Sequence, residues 1–106
     1  MAIFDDRERA EEAKFAHDEE RLFRARALRD RKLGIWIGQT FLGHDSSSAE
    51  AYAQSLVGLD LEKKGDENLV IAVLARVNAN AERLTENQLR RQLDIFMADA
   101  LTELSG

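Results

Sequence analysis

The chain contains no proline, and its first glycine is Gly34, so a third of its length carries no residue that breaks an α-helix. Proline removes a backbone donor and clashes with the preceding turn, and glycine costs helix about 1 kcal/mol relative to alanine. A stretch free of both favours helix, but helices in proteins are held mainly by burying an apolar face. The opening stretch has little to bury. Between Phe4 and Glu20 its apolar side chains are Phe4, Ala10, Ala13, Phe15 and Ala16. At about 100° per residue, Phe4, Phe15 and Leu22 fall on one stripe, with Glu8, Glu11 and Asp18 beside it. Aromatic anchors interleaved with carboxylates make a poor internal face, and suit a partner that offers both pockets and positive charge.

The charge order sharpens this reading. Residues 1–20 hold Asp5, Asp6, Glu8, Glu11, Glu12, Asp18, Glu19 and Glu20 against Arg7, Arg9 and Lys14; residues 21–32 then hold Arg21, Arg24, Arg26, Arg29, Arg31 and Lys32 against Asp30. Asp5 caps the helix, with Glu8 bonding back. The pairs Asp5–Arg9, Lys14–Asp18, Glu20–Arg24 and Arg26–Asp30 stand at helical spacing, each worth about 0.2–0.5 kcal/mol. High charge and low apolar density predict that residues 1–20 are an exposed or disordered arm that orders on binding. The basic run offers cations for a phosphate-binding strip, but the acidic block before it and the net charge of -5 argue against nucleic acid.

The remaining residues suffice for one core, since 106 residues with 44% apolar content fit a single domain. From Leu22 to Leu42 the helix enters that core through Leu28, Leu33, Ile35, Trp36, Ile37, Phe41 and Leu42. Gly34 and Gly38 weaken it, so a kink or an end is expected near Gly43, where His44 and the Ser46–Ser48 run open a loop. Gly34 and Gly38 also have the spacing that lets another helix approach closely. Ser47 and Glu50 form a capping box for a second helix, which carries Tyr52, Leu56 and Leu59 to about Lys64. Gly65 stops it, and Asp66 caps a third helix through Leu69, Val70, Val73, Leu74 and Val77. The fourth has the clearest start: Thr85 and Gln88 as a capping box, Leu84 and Leu89 as a hydrophobic staple. Its stripe is Leu89, Leu93, Phe96, Met97, Ala100, Leu101 and Leu104. The expected fold is all-α: a four-helix bundle over residues 21–106, with a long N-terminal helix whose first part, residues 1–20, is the arm.

The absence of cysteine excludes disulfides, thiolate metal sites and cysteine nucleophiles, and fits a reducing compartment. The start from Met1 to Arg9 has no secretory pattern, and the longest apolar run, Leu69 to Ala75, is far short of the roughly 18 residues that a membrane span needs. No catalytic motif is present. His17 beside Asp18, Glu19 and Glu20 lacks a second histidine one turn away, and adjacent residues diverge around a helix, so no metal site is expected there. His44 is expected to have no role, and Trp36 to belong to the core.

Three strings, Phe4-Asp5-Asp6-Arg7-Glu8, Lys14-Phe15-Ala16-His17-Asp18-Glu19-Glu20 and Leu33-Gly34-Ile35-Trp36, together with Gly65-Asp66-Glu67, resemble the alphaproteobacterial zeta subunit of F-type ATP synthase. The resemblance implies an inhibitor of ATP hydrolysis, not an enzyme, needing no cofactor. It implies an N-terminal helix that inserts at an alpha/beta catalytic interface and blocks rotation in the hydrolytic direction. Its partner is the catalytic head of the synthase, including alpha, beta and gamma subunits, and it is a monomer when free, cytoplasmic and peripheral to the inner membrane. Carried onto this chain, the anchors are Phe4 and Phe15, and the polar contacts are Asp5, Asp6, Arg7, Glu8, Arg9, Glu11, Glu12 and Lys14. A second reading is a helical sensor that binds a small ligand or nucleotide among its helices.

Overall fold

The structure, a computed structural model, describes residues 2–63 and 65–105, with side chains described from Asp18 onward. The four helices are α1 (Ala2–Phe41), α2 (Ser46–Glu62), α3 (Asp66–Val77) and α4 (Glu86–Ser105). α1 packs against both α2 and α4, and α3 makes smaller contacts with α2 and α4. The expected all-α bundle with a long first helix is what forms. The expected cap at Asp5 and most of the expected exposed or disordered arm, residues 1–20, fall where side chains lie outside the described residues; the last three, Asp18, Glu19 and Glu20, are exposed.

Gly34 and Gly38 neither kink nor end α1, because α2 needs them. A Cβ on Gly34 would overlap the Ala53 backbone, and one on Gly38 would stand 3.1 Å from Ala49 Cα. Two small residues on each helix therefore let the backbones touch, and Ala49, Ala53 and both glycines are fully or nearly fully buried. α1 stops at Phe41. Gly43 takes φ +65, a conformation that costs any residue with a Cβ. The chain then turns back so that the His44 N–H donates to the Gly38 carbonyl at 2.9 Å. His44 does have a packing role: it is half-buried, with its ring 6.2 Å from that of Tyr52, edge to face.

Helix starts follow local chemistry, with two corrections. α4 begins as expected: the Thr85 N–H donates to Gln88 Oε1 at 3.0 Å and the Gln88 N–H to Thr85 Oγ1 at 3.2 Å. Leu84 and Leu89 of the staple are both buried. α2, however, is capped by Asp45, not Ser47; the Asp45 carboxylate accepts from the Ser48 N–H at 2.8 Å. The hydrogen bond from Ser48 holds that carboxyl below its usual range. Asp is as good a cap as Ser, and it stands one residue ahead of the first of three serines that all lie inside the helix. The second correction is Asp66, which opens α3 without capping it, since Gly65 occupies the cap position and no side chain bonds there. Its carboxylate is engaged elsewhere.

The core is formed by Leu33 and Ile37 of α1, Leu56 of α2, Leu69, Val70, Val73 and Val77 of α3, Leu84, and Leu89 and Leu93 of α4. Trp36 packs edge-on against Phe41 at 5.4 Å and Phe96 at 6.2 Å, between ring centroids. Leu22 does not join this core, contrary to expectation. Leu22 is 50% and Phe23 57% exposed, and the buried face of α1 starts at Ala25. The reason is that α2 does not close on α1 at that height: Leu22 and Phe23 face an open cleft whose other wall is Val57 and Leu61 of α2.

The two kinds of glycine in this bundle should respond in opposite ways to alanine. Gly34→Ala is expected to lose about 1–3 kcal/mol in urea denaturation, because the overlap is with backbone that cannot rotate aside. Gly58 in α2 has nothing within 4 Å of its Cβ position, so Gly58→Ala is expected to gain up to about 1 kcal/mol from helix propensity.

Candidate functional site

The ten residues expected to bind a partner, Phe4, Asp5, Asp6, Arg7, Glu8, Arg9, Glu11, Glu12, Lys14 and Phe15, all lie on α1, and their side chains lie outside the described residues. The description of the surface begins at its base. Asp18, Glu19 and Glu20 are exposed, and Glu20 pairs with Arg24 at 2.7 Å, as the helical spacing predicts. Arg21 reaches Ser105 at the far end of α4. Beside the last turns of α2, a cleft of about 610 Å³ opens between α1 and α2. Leu22, Phe23, Val57 and Leu61 form its apolar walls, Glu19 and Glu20 stand on its rim, and Arg26 and Asp60 line it as well. Leu61 is itself 55% exposed. A group of exposed apolar side chains, Leu22, Phe23 and Leu61, is unusual for a surface that faces only water.

Beneath that cleft the basic run turns inward. Arg26 bonds Asp60 at 3.0 Å and Asp66 at 3.3 Å. Arg29, only 5% exposed, bonds Asp66 at 2.9 Å and Asp30 at 2.9 Å, and stands 3.7 Å from Asp60. Arg31 grips Glu50 of α2 with two bonds of 2.9 Å, and Lys32 reaches Glu103 of α4 at 2.9 Å. One turn and a half of α1 thus sends cations to acids on all three other helices. The expected Arg26–Asp30 pair does not form. Arg26 points toward α2 and α3, while Asp30 is completely buried and meets Arg29 beside it.

This arrangement disposes of the phosphate-binding reading of Arg21–Lys32, because five of its six cations are already bonded to carboxylates of the same chain. It also identifies residues the sequence reading passed over. Asp30, Asp60 and Asp66 form, with Arg26 and Arg29, a cluster of three acids and two guanidiniums at the junction of α1, α2 and α3. One signal was available: Asp30 sits three and seven residues before Leu33 and Ile37, inside the buried stripe of α1, where an unpaired carboxylate would be costly. Asp60 and Asp66 gave no such sign. Among the described residues no group of histidine and carboxylate side chains is arranged to hold a metal ion. Among the described residues, too, no helix is long and apolar enough to cross a membrane.

A family model described as ATPase inhibitor subunit zeta matches residues 1–103. The match covers the arm and the bundle as one unit. Comparison with curated proteins and with solved structures found no match.

The ion pairs should divide sharply by burial. Arg29→Ala leaves Asp30 and part of Asp66 without their cation, and is expected to cost about 3–5 kcal/mol in denaturant unfolding. Arg24→Ala removes only an exposed pair and should leave the unfolding midpoint near that of the parent chain.

Proposed function

The chain belongs to the ATPase inhibitor subunit zeta family, and on that premise we propose that it inhibits ATP hydrolysis by an F-type ATP synthase by inserting the first part of α1 at an alpha/beta catalytic interface. In this reading the arm blocks rotation in the hydrolytic direction, residues 21–106 are the domain that carries it, and the chain acts without catalysis of its own. It works in the cytoplasm, held at the inner membrane only through the synthase.

The observation that carries the reading is the family match over the whole of α1, joined to the place where α1 leaves the core. Leu22 and Phe23 stand exposed, burial begins at Ala25, and from Arg26 the helix is clamped by ion pairs to α2, α3 and α4. Such a helix transmits a load from its tip to a rigid base. Phe4 and Phe15 serve as the anchors, Asp5, Asp6, Arg7, Glu8, Arg9, Glu11, Glu12 and Lys14 as the polar contacts, and Leu22 and Phe23 extend the apolar row onto the bundle. The cleft does not favour a nucleotide, because Glu19 and Glu20 on its rim and Asp60 within it present carboxylates where phosphates would lie.

The test is to add the purified chain to the detached catalytic head of a related synthase and follow ATP hydrolysis. Hydrolysis is expected to fall, and an unchanged rate removes the proposal. Deleting residues 1–19 should abolish inhibition while moving the thermal melt of the bundle little. Phe15→Ala should weaken inhibition more than Arg9→Ala, since truncating a buried aromatic anchor commonly costs about 2 kcal/mol or more. A Leu22→Ala, Phe23→Ala double variant should weaken inhibition without lowering stability, because both side chains are exposed in the free chain.

A further inference from the structure

We propose that Asp30 and Asp60 share one proton across the seam between α1 and α2, forming a proton-binding site that fixes the base of α1 on the bundle. The inhibitory consequence rests on the function proposed above; the proton site does not.

Asp30 has no exposed surface. Its Oδ1 accepts from Arg29 Nε at 3.0 Å, but its Oδ2 has no hydrogen-bond donor. A buried carboxylate oxygen left in that condition is rare in folded proteins. The polar group that Asp30 meets on α2 is another carboxyl, Asp60, whose side chain is 7% exposed. Two ionised carboxylates placed together repel, and a single proton between them turns the repulsion into a hydrogen bond.

The charges around the pair say where the proton resides. α1 contributes Arg26 and Arg29, α2 contributes Asp60, and α3 contributes Asp66. The ion pairs of α4, Glu103 with Lys32 and Arg90 with Glu67 and Glu86, lie outside the cluster. Three acids against two guanidiniums leave one negative charge too many, and a proton on one acid makes the cluster neutral. Asp60 has Arg26 at 3.0 Å and Arg29 at 3.7 Å, one on each oxygen, so it stays ionised. Asp30, deeper and with one oxygen unbonded, takes the proton and donates it to Asp60. The electrostatics agree. Burial first, then the hydrogen bond with Asp60, push the Asp30 carboxyl up to about 8 against the opposing pull of Arg29. Burial also raises Asp60, but the bonds from Asp30 and Arg26 outweigh it and hold Asp60 below the usual carboxylate value.

The direction of the pH effect follows. Unfolded, Asp30 releases its proton near its ordinary value of 3.8; folded, it keeps the proton to about 8. Between those limits the folded chain binds the extra proton, so the contribution of the site is complete below about pH 4 and declines as pH rises to about 8. Neutral pH lies inside that window. Acidification therefore tightens the seam, and alkalinity places an uncompensated charge directly beneath the cleft that Arg26 and Asp60 line beside Leu22 and Phe23.

Two measurements on the full chain test the site. In a carbon-13 NMR titration of the side-chain carboxyls, one aspartate is expected to titrate near pH 8, and that signal should vanish in Asp30→Asn. Asparagine keeps a donor toward Asp60 but cannot ionise, so in thermal melts the variant should gain on the parent chain as pH rises from 5 to 8, by roughly 5–10 °C. The gap should stay constant above pH 8. All aspartates titrating below pH 5, or a gap that does not change from pH 5 to 9, overturns the proposal. On the synthase head, fractional inhibition by the parent chain should weaken from pH 6.5 to 8.5 and that by Asp30→Asn should not. A chain that never inhibits removes the proposed function, while the titration still decides the proton site.

Discussion

Arg29 is the interaction on which the rest of the molecule depends. A guanidinium is the cation best suited to burial, because its planar fork offers several donors and its charge is spread out. Here that fork joins Asp30 of its own helix to Asp66 at the start of α3, and lies within 3.7 Å of Asp60 near the end of α2. Removing it would leave Asp30, which has no exposed surface, without its guanidinium partner and take a cation from the part-exposed Asp66. Burying it fixes the height of α1 against the turn between α2 and α3, and hence the residue at which α1 emerges from the bundle. A buried ion cluster is weak support for stability in itself, since desolvation consumes much of the attraction. Its value here is registry: with apolar residues alone, α1 could slide by a turn against α2.

The close seam from Gly34 and Gly38 to Ala53 and Ala49 works with that cluster. Small residues let the helix axes approach, which increases dispersion contact between backbones and excludes water from the flank of the ion pairs. It also requires α2 to begin promptly after α1 ends. The positive φ of Gly43 and the Asp45 cap supply that turn within a few residues. Beyond the cluster, towards the N-terminus, neither device continues. Leu22 and Phe23 are left uncovered beside the proposed inhibitory segment, as apolar surface the bundle does not use.

A proton-sharing carboxyl pair at that junction connects the two halves of the chain. In the proposed function the arm would supply the contacts, and α1 would be seated through Arg26, Arg29 and Asp30. A site whose occupancy changes around neutral pH can alter the seating without touching a single contact residue of the arm. For an inhibitor of a proton-driven machine, this gives a link between the state of the solvent and the mechanical base of the inhibitory helix.

What the sequence determined by itself was the set of helices and most of their ends, because those depend on neighbours along the chain. The lack of proline, the helix-ending Gly43, and the Thr85–Gln88 box with its Leu84–Leu89 staple act over a few residues and are readable at that range. The family, too, was legible in short strings of residues. What only the tertiary structure decided was the destination of the charges. Arg26 bonds Asp60 and Lys32 bonds Glu103 across separations of 34 and 71 residues, and in so charged a chain no local pattern distinguishes those partners from many others. Asp66 has every local credential of a helix cap, yet Arg29 claims its carboxylate, because a buried guanidinium has no water to fall back on and a helix N-terminus at the surface does. Asp30 faces inward, and its burial together with the neighbouring Asp60 carboxyl, a residue 30 positions away in sequence, pushes its carboxyl up.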